Sequence, residues 1–170
     1  MKRSGFTMIE LIFVIVILGI LAAVALPKFI GVASQAQEGK LKAYVGTLNR
    51  TVAPALWSDA ISNNLNGIIK NAAPIDYSKK LVDQIETPVG TGDAKADDLT
   101  VPDLTKCVVY KAPAANTGYK DAELAAWGIV STGKIGTVQY DVMCMDGSMS
   151  SAPHFALKKT DGTSVTYPTK

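Results

Sequence analysis

Histidine occurs once and cysteine twice in 170 residues, too few for a zinc cluster or a histidine-based triad. Charge of one sign is equally scarce. The 17 basic and 15 acidic side chains leave a formal +2, far from the basic footprint of a nucleic-acid binder. No CxxC pair, ligand-spaced cluster, internal repeat or low-complexity tract is present. Neither an enzyme nor a bound metal or cofactor is therefore expected. A hydrophobic content of 48% fits neither a disordered chain nor a polytopic membrane protein, and the length suits one modest core.

The apolar residues are very unevenly placed. Between Phe6 and Leu26 the sole charge is Glu10, and from Leu11 to Leu26 the run LIFVIVILGILAAVAL contains no polar side chain. As a helix, Phe6 to Leu26 spans about 31 Å, enough to cross the hydrocarbon core of a bilayer. Lys2 and Arg3 precede it, so the positive-inside rule keeps Met1 cytoplasmic and sends the rest of the chain across. A removable secretory signal and a plain membrane anchor are the alternatives. Against the former, the run exceeds a usual signal core, and Ala23–Leu26 is succeeded at once by Pro27 and Phe29 rather than by a polar start. Against the latter stands Glu10, because a carboxylate in an apolar helix usually has a partner.

Met1–Lys2–Arg3–Ser4–Gly5 followed by Phe6–Thr7–Met8–Ile9–Glu10 resembles the class III signal of type IV pilins and type II secretion pseudopilins. The resemblance covers about the first thirty residues. It implies an α+β fold in which a long N-terminal helix, hydrophobic stem plus amphipathic half, packs on a C-terminal antiparallel β-sheet head. Residues 1–5 are then a cleaved leader, 6–27 the membrane and filament-core helix, 28–61 its amphipathic half and 62–170 the head. A prepilin peptidase would cut between Gly5 and Phe6 and methylate the new terminus at Phe6. Glu10 would pair with that amine on a neighbouring subunit, and in low dielectric the attraction would select the register of assembly. Gly19, poor for helix stability, and Pro27, which lacks a backbone donor, match the positions between which the family's helix melts in the filament; ordinary kinking of a membrane helix is the other explanation.

The implied function is that of a structural subunit polymerising with its own copies into a pilus for adhesion, surface motility or DNA uptake. It would be held single-pass in the inner membrane and handled by a pilus assembly platform before becoming extracellular. The alternative is a pseudopilin of type II secretion or competence, forming a short periplasmic filament. Pro27–Ser34 (PKFIGVAS) and Cys107–Ala115 (CVVYKAPAA) are also similar to mannose-sensitive haemagglutinin-type pilins. By the same resemblance Cys107 and Cys144, exported on this topology, form a disulfide. The bond would close a loop of about 38 residues and stabilise the head by roughly 4 kcal/mol on the chain-entropy model; two free thiols are the alternative. The interior Pro54 and the long segment after Cys144 depart from the best-known pilins.

Beyond Pro27 the pattern Leu41, Tyr44/Val45, Leu48, Val52, Leu56 predicts an amphipathic helix running to about Ile61, which Pro54 should kink or end. Trp57 is assigned to the packed face, and the helical setting of the sequon Asn49–Arg50–Thr51 argues against glycosylation there. A short helix is expected within Ile75–Ile85, capped by Asp76 or Ser78. Pro88–Asp103 reads as a solvated acidic loop; some pseudopilins bind calcium in a loop, but Asp93, Asp97, Asp98 and Asp103 match no calcium motif. Strands are expected at Thr105–Lys111, Gly128–Thr132 and Thr137–Cys144, with a terminal hairpin of Phe155–Leu157 and Val165–Tyr167. Asp121–Trp127 is ambiguous between helical turn and strand. Turns are expected at Thr132–Lys134, Asp146–Gly147 and Asp161–Gly162. His154 is given a surface or packing role. Loss of the leader would leave 15 bases against 15 acids, with bases gathered at Lys28–Arg50 and acids at Asp83–Asp103.

Overall fold

A computed structural model describes residues 6–70, 74–88, 99–109 and 127–160, excluding the side chain of Ile30. The chain divides into two compact units, Met1–Ala36 and Gln37–Lys170. In the first, helix α1 (Met8–Thr47) begins at Met8 and runs unbroken through Pro27. From Met8 to Phe29 its large apolar side chains are exposed, Phe13 at 66% and Leu21 at 60% among them. Length and composition qualify this helix to cross a membrane.

In the second unit the helix continues beyond Thr47 as a π-turn (Leu48–Val52) and then as α2 (Ala53–Ser62). The wide turn has a cause in Pro54. A proline ring clashes with the carbonyl four residues back, here Arg50, and supplies no N–H to it. Widening to an i→i+5 turn, seen in the Ala53 N–H bonding the Leu48 carbonyl, accommodates both. The helix therefore passes Pro54 and stops at Ser62. Leu41, Tyr44, Val45, Leu48, Val52 and Leu56 all lie in the core, so the expected stripe is the packed one. Tyr44 brings into that core a hydroxyl with no hydrogen-bond partner among the described residues, and burial pushes its phenol up.

Helix α3 (Tyr77–Gln84) starts at Asp76, whose carboxylate accepts the Lys79 N–H at 3.1 Å. Asp76 is thus the cap; the Ser78 hydroxyl instead accepts the Leu104 N–H at 2.9 Å. Lys80 ties α3 to α2 through Asp59 at 2.6 Å.

The sheet is antiparallel in the order β1 (Gly128–Ile135), β2 (Val138–Met145), β3 (His154–Lys159). The turn expected at Thr132–Lys134 falls inside β1, and the chain reverses at Gly136 and Thr137, with Gly136 at φ +62°. Gly133 serves a different need. A Cβ there would stand 3.1 Å from the Leu99 Cα, so glycine lets the 99–103 segment lie against the strand. That segment covers the β1 edge, with the Thr100 N–H donating to the Thr132 carbonyl and the Asp103 N–H to that of Val130.

The β3 edge is covered by a side chain. In the π-turn, Asn49 Oδ1 accepts the Phe155 N–H and Nδ2 donates to the Phe155 carbonyl, both at 2.8 Å. Nδ2 also donates to the Val45 carbonyl at 3.1 Å. Both amide protons of the sequon asparagine are therefore committed, leaving none to give up for a sugar.

The strand expected at Thr105–Lys111 is not formed over its described part. Asp103 caps a 3-10 turn, Leu104–Lys106, and a single bridge from Val108 to Met145 follows; the 110–111 pair lies outside the described residues. Cys107 is then joined to Cys144 in a disulfide with a Cα–Cα distance of 4.8 Å. Both cysteines are fully buried. Tyr140, Val142, Cys144, Phe155 and Leu157 face the helical core. Met143, Met145, Ala156 and Trp127 form a second buried cluster, on the alternate strand positions. The stretch 121–126, the partner strand Val165–Tyr167 and the Asp161–Gly162 turn lie outside the described residues.

The loop after α2 is locked to the β2–β3 loop by Asp146, which is buried. Its carboxylate accepts N–H bonds from Ile69 (2.9 Å), Lys70 (3.2 Å) and Gly147 (2.8 Å). Burial pushes this carboxyl up, opposed by those three donors. Trp57, half-buried, adds an Nε1–H bond to the Ser148 carbonyl at 2.7 Å. His154 is half-buried with its Nε2 3.3 Å from the Ser151 hydroxyl, and burial depresses its imidazole.

Candidate assembly site

Helix α1 needs a cap because its first N–H groups have no intrahelical acceptor. Thr7 immediately precedes Met8 and Glu10 comes three residues later, the spacing of a capping box. The geometry is reciprocal. Glu10 Oε2 accepts the Thr7 N–H at 2.9 Å and the Thr7 hydroxyl at 2.7 Å, while the Glu10 N–H points to Thr7 Oγ1 at 3.4 Å. The Thr7 carbonyl takes the first helical bond, from the Leu11 N–H at 3.3 Å. Both side-chain contacts use one carboxylate oxygen. Oε1 has no hydrogen-bond partner among the described residues and remains available to a donor from outside the chain.

Phe6 lies just outside the cap and is 85% exposed. Gly5 lies outside the described residues. Gly19 is inside α1 with open space where a Cβ would point, and Pro27 is also inside the helix. The site thus collects Phe6, Thr7 and Glu10 at the start of one long exposed apolar helix, with Gly19 and Pro27 further along it and the disulfide in the other unit. The capping role of Thr7 is the feature the sequence reading missed, although the signal T-x-x-E before an apolar run was there to be read.

Among the described residues no group of three or more His, Cys, Asp or Glu could hold a metal ion; Asp93, Asp97 and Asp98 lie outside them. Elsewhere, Glu38 receives the Tyr140 hydroxyl at 3.0 Å and Lys42 Nζ at 2.6 Å. The Lys42 ammonium is the main reason its carboxyl is held below the ordinary glutamate range.

Residues 1–26 match the family described as the prokaryotic N-terminal methylation motif. The chain is 42% identical over 55 residues to the type IV narrow pilus major component PilA5 of Thermus thermophilus, covering 32% of this chain and 47% of that protein. It is 33% identical over 79 residues to the fimbrial protein EcpB of Eikenella corrodens, covering 45% of this chain and 50% of the relative. The matches thus span about half the length of these relatives. No solved structure matches.

Proposed function

We propose that this chain is a structural subunit of a bacterial pilus filament, starting from the type IV pilin family that the N-terminal motif and both relatives support. The carrying observation is a carboxylate with one oxygen unbonded among the described residues, in the first turn of an exposed apolar helix. In this reading a prepilin peptidase removes residues 1–5 and methylates Phe6. The subunit waits in the inner membrane through its apolar segment, and Glu10 Oε1 meets the Phe6 amine of a neighbour as the assembly platform adds subunits. The stretch from Phe6 to Pro27 then forms the filament core, with 28–61 carrying the head, 62–170, outward. Melting of the helix between Gly19 and Pro27 on packing belongs to the same proposal, since neither residue is held by contacts along an otherwise bare helix.

The test is intact mass and shearing. Sheared filaments should yield a chain beginning at Phe6 with one added methyl group, and Glu10→Ala should be processed yet give few filaments. Unprocessed chain, or wild-type filament yield from Glu10→Ala as the sole copy, overturns the proposal. Adhesion, motility and DNA uptake are separated by phenotyping a deletion strain. Normal processing without surface filaments returns the alternative, a short periplasmic pseudopilus.

A further inference from the structure

Among the described residues of the unit Gln37–Lys170, most carboxylates are spent within the chain. Glu38 is paired with Lys42, Asp59 with Lys80 and Asp103 with Lys106. Asp141 and Asp146 are buried and hydrogen-bonded, and Asp76 caps α3. Among the described residues this leaves two exposed carboxylates without any partner. They are Asp83, on α3, and Glu86, three residues later, beyond the extended Ile85 that ends the helix.

Arg50 is the converse case. It sits in the π-turn, exposed and without a hydrogen bond or ion pair among the described residues. Its neighbours on the face turned away from the core are Ala43, Thr47, Thr51 and Pro54, all exposed and small. Among the described residues nothing bulky shields the guanidinium, and a second chain can approach the helix closely there. The planar fork of an arginine offers five donors and suits two carboxylates better than an ammonium would.

We infer that Arg50 of one copy docks against Asp83 and Glu86 of a second copy. This rests on the filament reading, in which side-by-side packing of α1 brings a neighbour's head against that face. On the filament reading the contact is heterologous, because each copy gives Arg50 to one neighbour and Asp83 and Glu86 to another. Such a contact propagates from copy to copy instead of closing a two-fold dimer. Complementary charge fixes register and suppresses wrong neighbours.

The experiment is a charge swap in the full-length chain expressed as the sole copy, read as sheared filament per unit of cellular protein. Arg50→Glu, and separately Asp83→Lys with Glu86→Arg, should each lower the yield about tenfold, as expected when opposed charges become like charges. The combined swap should restore at least half of it. Lys40→Glu is the control, since Lys40 is exposed on the same helix about 15 Å from position 50 and beyond the physiological screening length; its yield should stay near wild type. Wild-type yield from Arg50→Glu, no rescue in the combined swap, or an equal loss from Lys40→Glu overturns the inference while leaving the pilus reading intact. A wild-type chain that gives no filaments overturns the pilus reading itself. Unchanged thermal unfolding of each variant in detergent separates lost assembly from lost folding.

Discussion

Replacing Asn49 by alanine should loosen β3 from the helix, and the size of the effect comes from the geometry. Alanine removes the two bonds to the Phe155 backbone and the one to the Val45 carbonyl. Phe155 has no solvent exposure, so its N–H and C=O lose their partners where water reaches them poorly. An unsatisfied buried group costs ~1–3 kcal/mol; because Asn49 itself is only half-buried, the lower half of that range applies to each, about 3 kcal/mol in all. Alanine is the better helix former and returns about 0.5 kcal/mol. The net loss of ~2.5 kcal/mol corresponds to a melting point lower by roughly 5–10 °C in a chain of this size. Thermal unfolding of the full chain in detergent, monitored by circular dichroism, measures it. Amide exchange at Phe155 locates it, since that N–H should lose protection in proportion. Asn49→Asp keeps an acceptor for the Phe155 N–H but supplies no donor, and should fall between. A loss under about 0.5 kcal/mol for alanine, or a larger one with Phe155 exchange unchanged, refutes the reasoning.

Two further outcomes are expected. Replacing both Cys107 and Cys144 by serine should destabilise the head by roughly 4 kcal/mol on the chain-entropy account, with added loss because both sites are buried; non-reducing peptide mapping should show the native link, and a variant as stable as wild type would refute it. On acidification, Glu38, Asp59 and Asp103 have carboxyls held low, chiefly by Lys42, Lys80 and Thr105 respectively. Their stabilisation is full above the unfolded values of about 3.8–4.5 and is lost as pH falls through the lower folded values. Asp146, pushed up by burial, acts in the opposite sense and gains relative stability as pH falls. The double variant Lys42→Met, Lys80→Met should therefore show a flatter acid limb in pH-dependent unfolding, and an unchanged limb would refute the assignment.

The helical half of the fold was legible because it depends on periodicity. Leu41 to Leu56 kept its spacing, and a cap at Asp76 or Ser78 needs only local chemistry. The strand cores were legible too from their β-rich composition, whereas burial on both faces of β2 depends on Trp127 and Ala156 packing beside Met143 and Met145, a tertiary contact. Errors arose where a residue's role is tertiary. Gly133 looks like a turn glycine and is a contact glycine. Thr105–Lys111 has strand composition, but the Asp103 cap and the disulfide at Cys107 hold its first part in a 3-10 turn. Pro54 reads as a kink or an end in a helix running to about Ile61; the helix does reach Ser62, and nothing local announces the π-turn by which it passes the proline. At the assembly site, Glu10 stood out by its isolation, whereas its bond to Thr7 passed unnoticed because threonine beside an apolar run has no contrast.

The two units place different demands on assembly. Among the described residues the head pairs or hydrogen-bonds most of its carboxylates, while the large apolar side chains of the stem from Phe6 to Leu26 are exposed. In lipid that is no liability, since hydrocarbon is as apolar as a neighbouring helix and moving from one to the other gains little. On the filament reading, apolar burial alone therefore cannot choose between correct and shifted registers of the stem. Polar groups must do so, because only they change partners decisively on leaving the bilayer. Glu10 is the sole charge from Phe6 to Leu26, and its capping box uses one oxygen while the other has no partner among the described residues. Helix start and assembly contact can thus coexist on one side chain. A subunit need not unwind its first turn to bind its neighbour, and Thr7 holds the carboxylate in place while it waits.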